Sequence, residues 1–285
     1  MKEQYIETNT VQSEPYLAAR ALNLLPILYG ERGKIVVKTY AYFRSVDNRI
    51  DKTTESIEEK LGFLQRQSQV IKRRPVPHPT THESMYLNLP WDIFPEQTLK
   101  SIDTQAQILL STFVDDVRHF GFQPRNYRET RHYNWRTLLP CLEAISLIIN
   151  GKPMKVTSRF MHLLNSCNSI GSLQDFEEDV DRKLLQVPFS RDEITLIARC
   201  TNEEEKRARA LEIYNSGRFE AEKARHIDTL KTHNNAFMDL DIPFWQKAVC
   251  TAYLTHRAIK KAQTHLMYPF IPPSYTPQTA WQHQD

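Results

Sequence analysis

Apolar residues recur along the chain at spacings of three and four, the period of a helix that buries one face. The pattern predicts helices over about 15–28, 33–52, 55–73, 97–120, 127–150, 154–182, 191–234 with a break near 201, and 243–268. No stretch alternates β-branched and polar residues as a sandwich or barrel strand would. Prolines 75, 77, 79, 90 and 95 mark 74–95 as a long loop, and a further proline-rich stretch begins at Pro269. The helices on either side of the loop need one another to cover their apolar faces. The expected fold is therefore all-α, a single-domain helical bundle over 13–268, preceded by a polar segment at 1–12 and followed by a proline-rich tail at 269–285.

Composition agrees with helix. The chain has 285 residues, 40% of them hydrophobic, enough for a substantial core, and only 7 glycines. With 37 basic and 34 acidic residues the net charge is +3, and the longest basic run is the short Lys72-Arg73-Arg74, so nucleic acid is not an expected partner. Cys141, Cys167, Cys200 and Cys250 lie far apart and suggest neither a zinc site nor a disulfide framework. The polar start MKEQYIETNT lacks the apolar stretch of a signal peptide, and no segment is apolar for long enough to span a bilayer. A cytoplasmic location is expected.

Two segments carry candidate chemistry. In YAYFRSVDNRID, residues Tyr40, Arg44, Asp47 and Asp51 fall at i, i+4, i+7 and i+11, which places them on one face of a helix otherwise rich in apolar and aromatic residues. In the segment from Asn168 to Arg182, positions 168, 172, 175, 179 and 182 share a face, so that Asp175 and Asp179 repeat the pattern with Arg182 nearby. One Asp-x-x-x-Asp is most often a solvated face, and EEDVDRK is readily a charged helix end. Two copies, one inside an apolar run, ask for a reason. Helices that faced each other would bring four carboxylates across a cavity, which is unfavourable without cations. Magnesium fits, because it takes oxygen ligands and bridges carboxylates to substrate phosphates. Two or three Mg²⁺ ions would anchor a diphosphate, Arg44 and Arg182 would hydrogen-bond its oxygens, and the chemistry implied is ionisation to an allylic carbocation.

Other features weigh less. His78 and His82 fall in the proline-rich loop, where helical ligand spacing has no meaning. The charged run after Asn202 is a helix start whose acidic residues suit the positive end of the dipole. Phe113, Tyr133, Trp135, Phe160, Phe237 and Phe244 are candidates for the wall of a prenyl pocket, although such residues more often form ordinary core.

At the two acidic segments the sequence resembles the squalene/phytoene synthase family, whose first motif reads approximately YAxCRxxDDxxD and whose second reads approximately LQxxNxxRDxxED and closes on a proline. YAYFRSVDNRID is similar to the first, and SIGSLQDFEEDVDRKLLQVP to the second, with Asp175, Glu178 and Asp179 at acidic positions and Pro188 at the closing proline. The resemblance covers about 13–268 and implies the isoprenoid synthase bundle with a central cavity. It implies metal binding by Asp47, Asp51, Asp175 and Asp179, and substrate contact by Arg44, Tyr40, Asn168 and Arg182. Tyr133 corresponds to a family tyrosine of the catalytic region, though TLLPCLE replaces the glycine-containing signature that follows it. Asn48, Gln174 and the Leu17-Ala18 pair also depart from the family pattern and bear on the product formed. The function implied is head-to-head coupling of two prenyl diphosphates, farnesyl or geranylgeranyl diphosphate, by a Mg²⁺-dependent prenyltransferase; NADPH use stays open. A class I terpene synthase that cyclises one prenyl diphosphate and a non-catalytic assembly factor are the alternatives, the latter having no need to keep four aspartates. A hydrophobic product would favour peripheral association with a membrane.

Overall fold

The structure is a computed structural model that describes residues 17–52, 54–233, 236, 238 and 240. The expected helix at 243–268, both terminal segments, Cys250, Phe237 and Phe244 lie outside the described residues. Within them the chain is all-α: α1 (Leu17–Ile50), α2 (Ile57–Ile71), α3 (Thr81–Leu87), a 3-10 turn (Trp91–Ile93), α4 (Glu96–Arg118), α5 (Tyr127–Asn150), α6 (Ser158–Gln174), α7 (Phe176–Asp181), α8 (Arg191–Ala198), α9 (Glu203–Asn215) and α10 (Arg218–Thr232). An isolated bridge between Arg125 and Pro188 is the one β-pairing among the described residues.

The chain divides into two compact units, Met1–Val114 with Pro140–Pro153, and Asp115–Leu139 with Met154–Asp285. In the first unit α1 kinks at Gly30, which takes φ 55 and ψ −128. This separates the helices expected at 15–28 and 33–52. Past the kink the backbone doubles close on itself, and a Cβ at Gly33 would lie 2.0 Å from the carbonyl oxygen of Leu25, so a residue without a side chain is required there.

The loop expected over 74–95 holds a further helix. Thr80 and Glu83 form a capping box, with Thr80 Oγ1 accepting from the Glu83 amide at 3.2 Å and Glu83 accepting from the Thr80 amide at 2.8 Å. The same Glu83 carboxylate accepts two bonds from Arg66, at 2.9 and 2.8 Å, and one from Gln67 at 2.8 Å. Gln67 in turn accepts the hydroxyl of buried Tyr42 at 2.9 Å. One carboxylate thus ties α3 to α2 and, through Gln67, to α1, while Tyr42, Tyr86 and Trp91 pack ring against ring beside it.

In the second unit Phe122, Leu173, Phe176, Val180, Leu185, Val187, Phe189, Ile197, Ala210, Ile213 and Phe219 form a core. Phe176 is fully buried and stacks on Tyr214 with ring centroids 4.4 Å apart. The helix expected over 154–182 is therefore two: α6 ends and α7 begins around Asp175, whose ψ of 7 leaves the helical range. The helix expected over 191–234 breaks at 201, where Asn202 caps α9, and again at Gly217, which takes φ 77.

Hydrogen bonds from Arg66, Thr80 and Gln67 hold the Glu83 carboxyl at about 2, against an ordinary value of 4.5. A carboxylate depressed in this way stabilises the fold above the ordinary value, and that contribution fades as pH falls from the ordinary value towards the folded one. Glu83→Gln should lower stability near neutral pH by about 2–3 kcal/mol and flatten the acid limb of the stability profile. Urea denaturation across pH would check this; a loss that is equal in acid and at neutrality would contradict it.

Candidate functional site

In the first unit the polar stripe of α1 lies beside a small apolar cavity of about 90 Å³. Val36, Tyr40 and Phe43 line it from α1, with Ala106 from α4 and Ala144 and Ile148 from α5. The helical repeat puts Val36, Tyr40 and Phe43 on one face, and Phe43 is followed by Arg44, whose Nη1 donates to Asp47 Oδ2 at 2.7 Å. Asp51 sits one residue past the helix, with its amide bonded to the Asp47 carbonyl at 3.1 Å, so that the two aspartates remain one turn apart. Tyr40, Arg44, Asp47 and Asp51 are all half-buried. Cys141 also lines the cavity, and burial pushes its thiol up to about 12, which keeps it protonated at neutral pH.

In the second unit the break around Asp175 decides the other aspartates. Asp175 is exposed, whereas Asp179 is buried next to Val180 as Phe176 draws α7 onto the core. The Asp179 amide still bonds the Asp175 carbonyl at 2.8 Å. The expected single helical face over 168–182 is thus cut at Asp175, next to the fully buried Phe176. Arg182 pairs with Glu178 at the exposed end of α7. Asn168 donates to the Asn134 side-chain oxygen at 2.5 Å, and Asn134 donates to Asn165 at 3.0 Å, joining α6 to α5.

Tyr133 has a partner that the sequence did not announce. Its hydroxyl donates to Asp116 Oδ2 at 2.8 Å, and Arg125 donates to Asp116 Oδ1 at 3.0 Å with its guanidinium 4.2 Å from the Tyr133 ring centroid. Arg125 is 1% exposed and Asp116 is buried, so a charge pair closes over the tyrosine within the fold. Asp-Asp at 115–116 was the available signal; the isolated Arg125, in the turn before α5, offered none.

The remaining aromatic candidates disperse. Phe113 and Phe160 are core residues, and Trp135 is partly exposed at a polar cleft of the second unit. His82 lies on α3 and His78 precedes it with a φ of 47. Within either unit, no three His, Cys, Asp or Glu side chains among the described residues gather as a metal group. What each unit offers is a pair of carboxylates, hard oxygen donors of the kind that magnesium takes in ones and twos together with water and phosphate. No helix among the described residues is long and apolar enough to cross a membrane. No family model, curated protein or solved structure matches the chain.

Replacing Arg125 by Met would remove the buried guanidinium that donates to the Asp116 carboxylate. Arg125→Met should cost about 3–5 kcal/mol and Tyr133→Phe only about 1 kcal/mol in chemical denaturation. Similar losses for the two variants would mean that the charge pair does not hold this part of the unit.

Proposed function

We propose that the chain is a magnesium-dependent isoprenoid synthase of the squalene/phytoene synthase type, with the helical bundle and central cavity which that type implies. Its reaction is the ionisation of an allylic diphosphate, farnesyl or geranylgeranyl diphosphate, and the head-to-head coupling of two prenyl units. The observation that carries this reading is the division of labour on α1. Tyr40 and Phe43 line an apolar cavity, while the Arg44–Asp47 pair begins one residue beyond Phe43. A prenyl diphosphate has the same two halves, an apolar tail and a polyanionic head.

Magnesium, when bound at Asp47 and Asp51 and at Asp175 and Asp179, would supply the Lewis acidity that stabilises the departing diphosphate. Arg44 holds Asp47 in place and offers a guanidinium suited to phosphate oxygens. Tyr40 stands where the apolar wall meets the charged stripe and orients the head group against the tail. In the second unit, Asn168 is fixed by Asn134, and Tyr133 is fixed by Asp116 and Arg125, so both polar groups are held in one orientation. Leu24, Ile27 and Leu28 are exposed on the first half of α1, a face suited to shallow contact with a membrane that receives a hydrocarbon product.

The test is incubation of the protein with geranyl, farnesyl and geranylgeranyl diphosphates and Mg²⁺, with and without NADPH, followed by analysis of hydrocarbons and pyrophosphate. Coupled products of doubled carbon number are expected, lost in EDTA and regained with excess Mg²⁺. Asp47→Asn and Asp175→Asn should each lower turnover by about two orders of magnitude or more while the fold survives. Ala144→Phe, which fills the apolar cavity, should bias use towards the shortest substrate. Turnover that persists in chelator, or aspartate variants with full activity, would overturn the assignment, and cyclised products of single carbon number would move it to a terpene synthase.

A further inference from the structure

The second unit contains a cleft of about 890 Å³ that none of the nine residues assigned above to metal, substrate or catalysis lines. It opens between α5, α6 and α10, with the Pro188–Arg191 turn at one end. Arg128 and Arg131 stand three residues apart on α5, and Arg191 begins α8, all three exposed; Arg225 joins them from α10. Two acidic side chains line the same space. Glu222 is buried and shares the Arg218 guanidinium with Glu193, at 2.8 and 2.9 Å, so the four arginines of the lining face Asp192 and a partly compensated Glu222. Arg128 and Arg191 enter no ion pair among the described residues.

The floor is polar as well. Thr130 is 3% exposed and its hydroxyl has no hydrogen-bond partner, while His226 is bonded through Nδ1 to Ser166 Oγ at 3.1 Å and has Nε2 3.6 Å from Glu222 Oε1. Trp135 borders the cleft with the Arg131 guanidinium 5.5 Å from its ring centroid. A space of this size exceeds what a lone anion occupies and falls in the range of organic ligands. Four guanidinium groups from three helices around one mouth create a positive field whose natural complement is a polyanion with several oxygens to share.

We propose that this cleft binds an organic polyphosphate, with its phosphates among Arg128, Arg131, Arg191 and Arg225 and its organic part on the floor between Trp135 and Thr130. The site is independent of the metal-dependent chemistry proposed for the aspartates, and it is tested without metal. Isothermal titration of the full chain with ATP and with inorganic triphosphate, in EDTA and at physiological ionic strength, uses these two compounds as probes. Saturable binding of one ATP per chain is expected, tighter than that of triphosphate. The double substitution Arg128→Gln with Arg191→Gln should weaken it by about tenfold or more, and Asp47→Asn should leave it unchanged. Circular dichroism would establish that the double variant keeps its helices. Absence of saturable ATP binding, equal affinity for both probes, or binding that survives the two arginine substitutions would overturn the proposal.

Discussion

The Glu83 carboxylate accepts from Arg66, Gln67 and the Thr80 amide at once, and the position of α1 in the first unit depends on it. Two of these bonds come from one guanidinium in parallel, the strongest neutralisation a buried carboxylate finds without a metal. Through Gln67 the network reaches Tyr42, and Tyr42 immediately precedes Phe43 and Arg44. The rotation of α1 about its axis is thereby set, and with it the placement of Tyr40 and Phe43 at the apolar cavity. Burial and the neighbouring Tyr86 and Glu83 push the Tyr42 hydroxyl well above its ordinary range, so it remains a donor to Gln67 at any pH the fold tolerates. The polar stripe proposed for function on α1 is thus aimed by a polar network on another face of the same helix.

The second unit uses packing for the same purpose. Phe176 is buried against Phe189, Tyr214 and Phe219, and the helix breaks beside it at Asp175. The two aspartates of this motif consequently differ in environment, one exposed and one buried, where Asp47 and Asp51 are both half-buried. Arg218 supports the same region by donating to Glu193, Glu222, Tyr127 and the Pro188 carbonyl. Burial and the Glu222 carboxylate raise the Tyr127 hydroxyl to about 12, so that it stays neutral within this ion network.

Much of this architecture is legible in the residues. Apolar periodicity locates α1, α2, α4 and α5 closely, and the Asn202 cap is visible as a polar residue ahead of three glutamates. Helix α3 was legible too, since Thr80 and Glu83 spell a capping box, but the surrounding prolines hid a helix of barely two turns. The break around Asp175 was not, because the local sequence is compatible with continued helix and the burial of Phe176 beside it is a tertiary feature. Glycine at 217 signals the second break in 191–234 through its positive φ. The acidic motifs were found by spacing, whereas Asp116 and Arg125 were not, since their pairing joins the end of one helix to a turn and follows no local period. The arginines of the polar cleft likewise come from helices distant in sequence.

In the proposed function the aspartates hold metal against a diphosphate, and α1 aligns tail and head. The most direct test of that function is a crystal structure of the chain soaked with Mn²⁺ and a non-ionisable farnesyl thiodiphosphate, in which anomalous scattering locates the metal. Manganese is expected at the Asp47–Asp51 pair and at the Asp175–Asp179 pair, with the farnesyl chain entering the cavity lined by Tyr40 and Phe43. Manganese bound away from these aspartates, or a farnesyl chain that avoids this cavity, would contradict the proposed function.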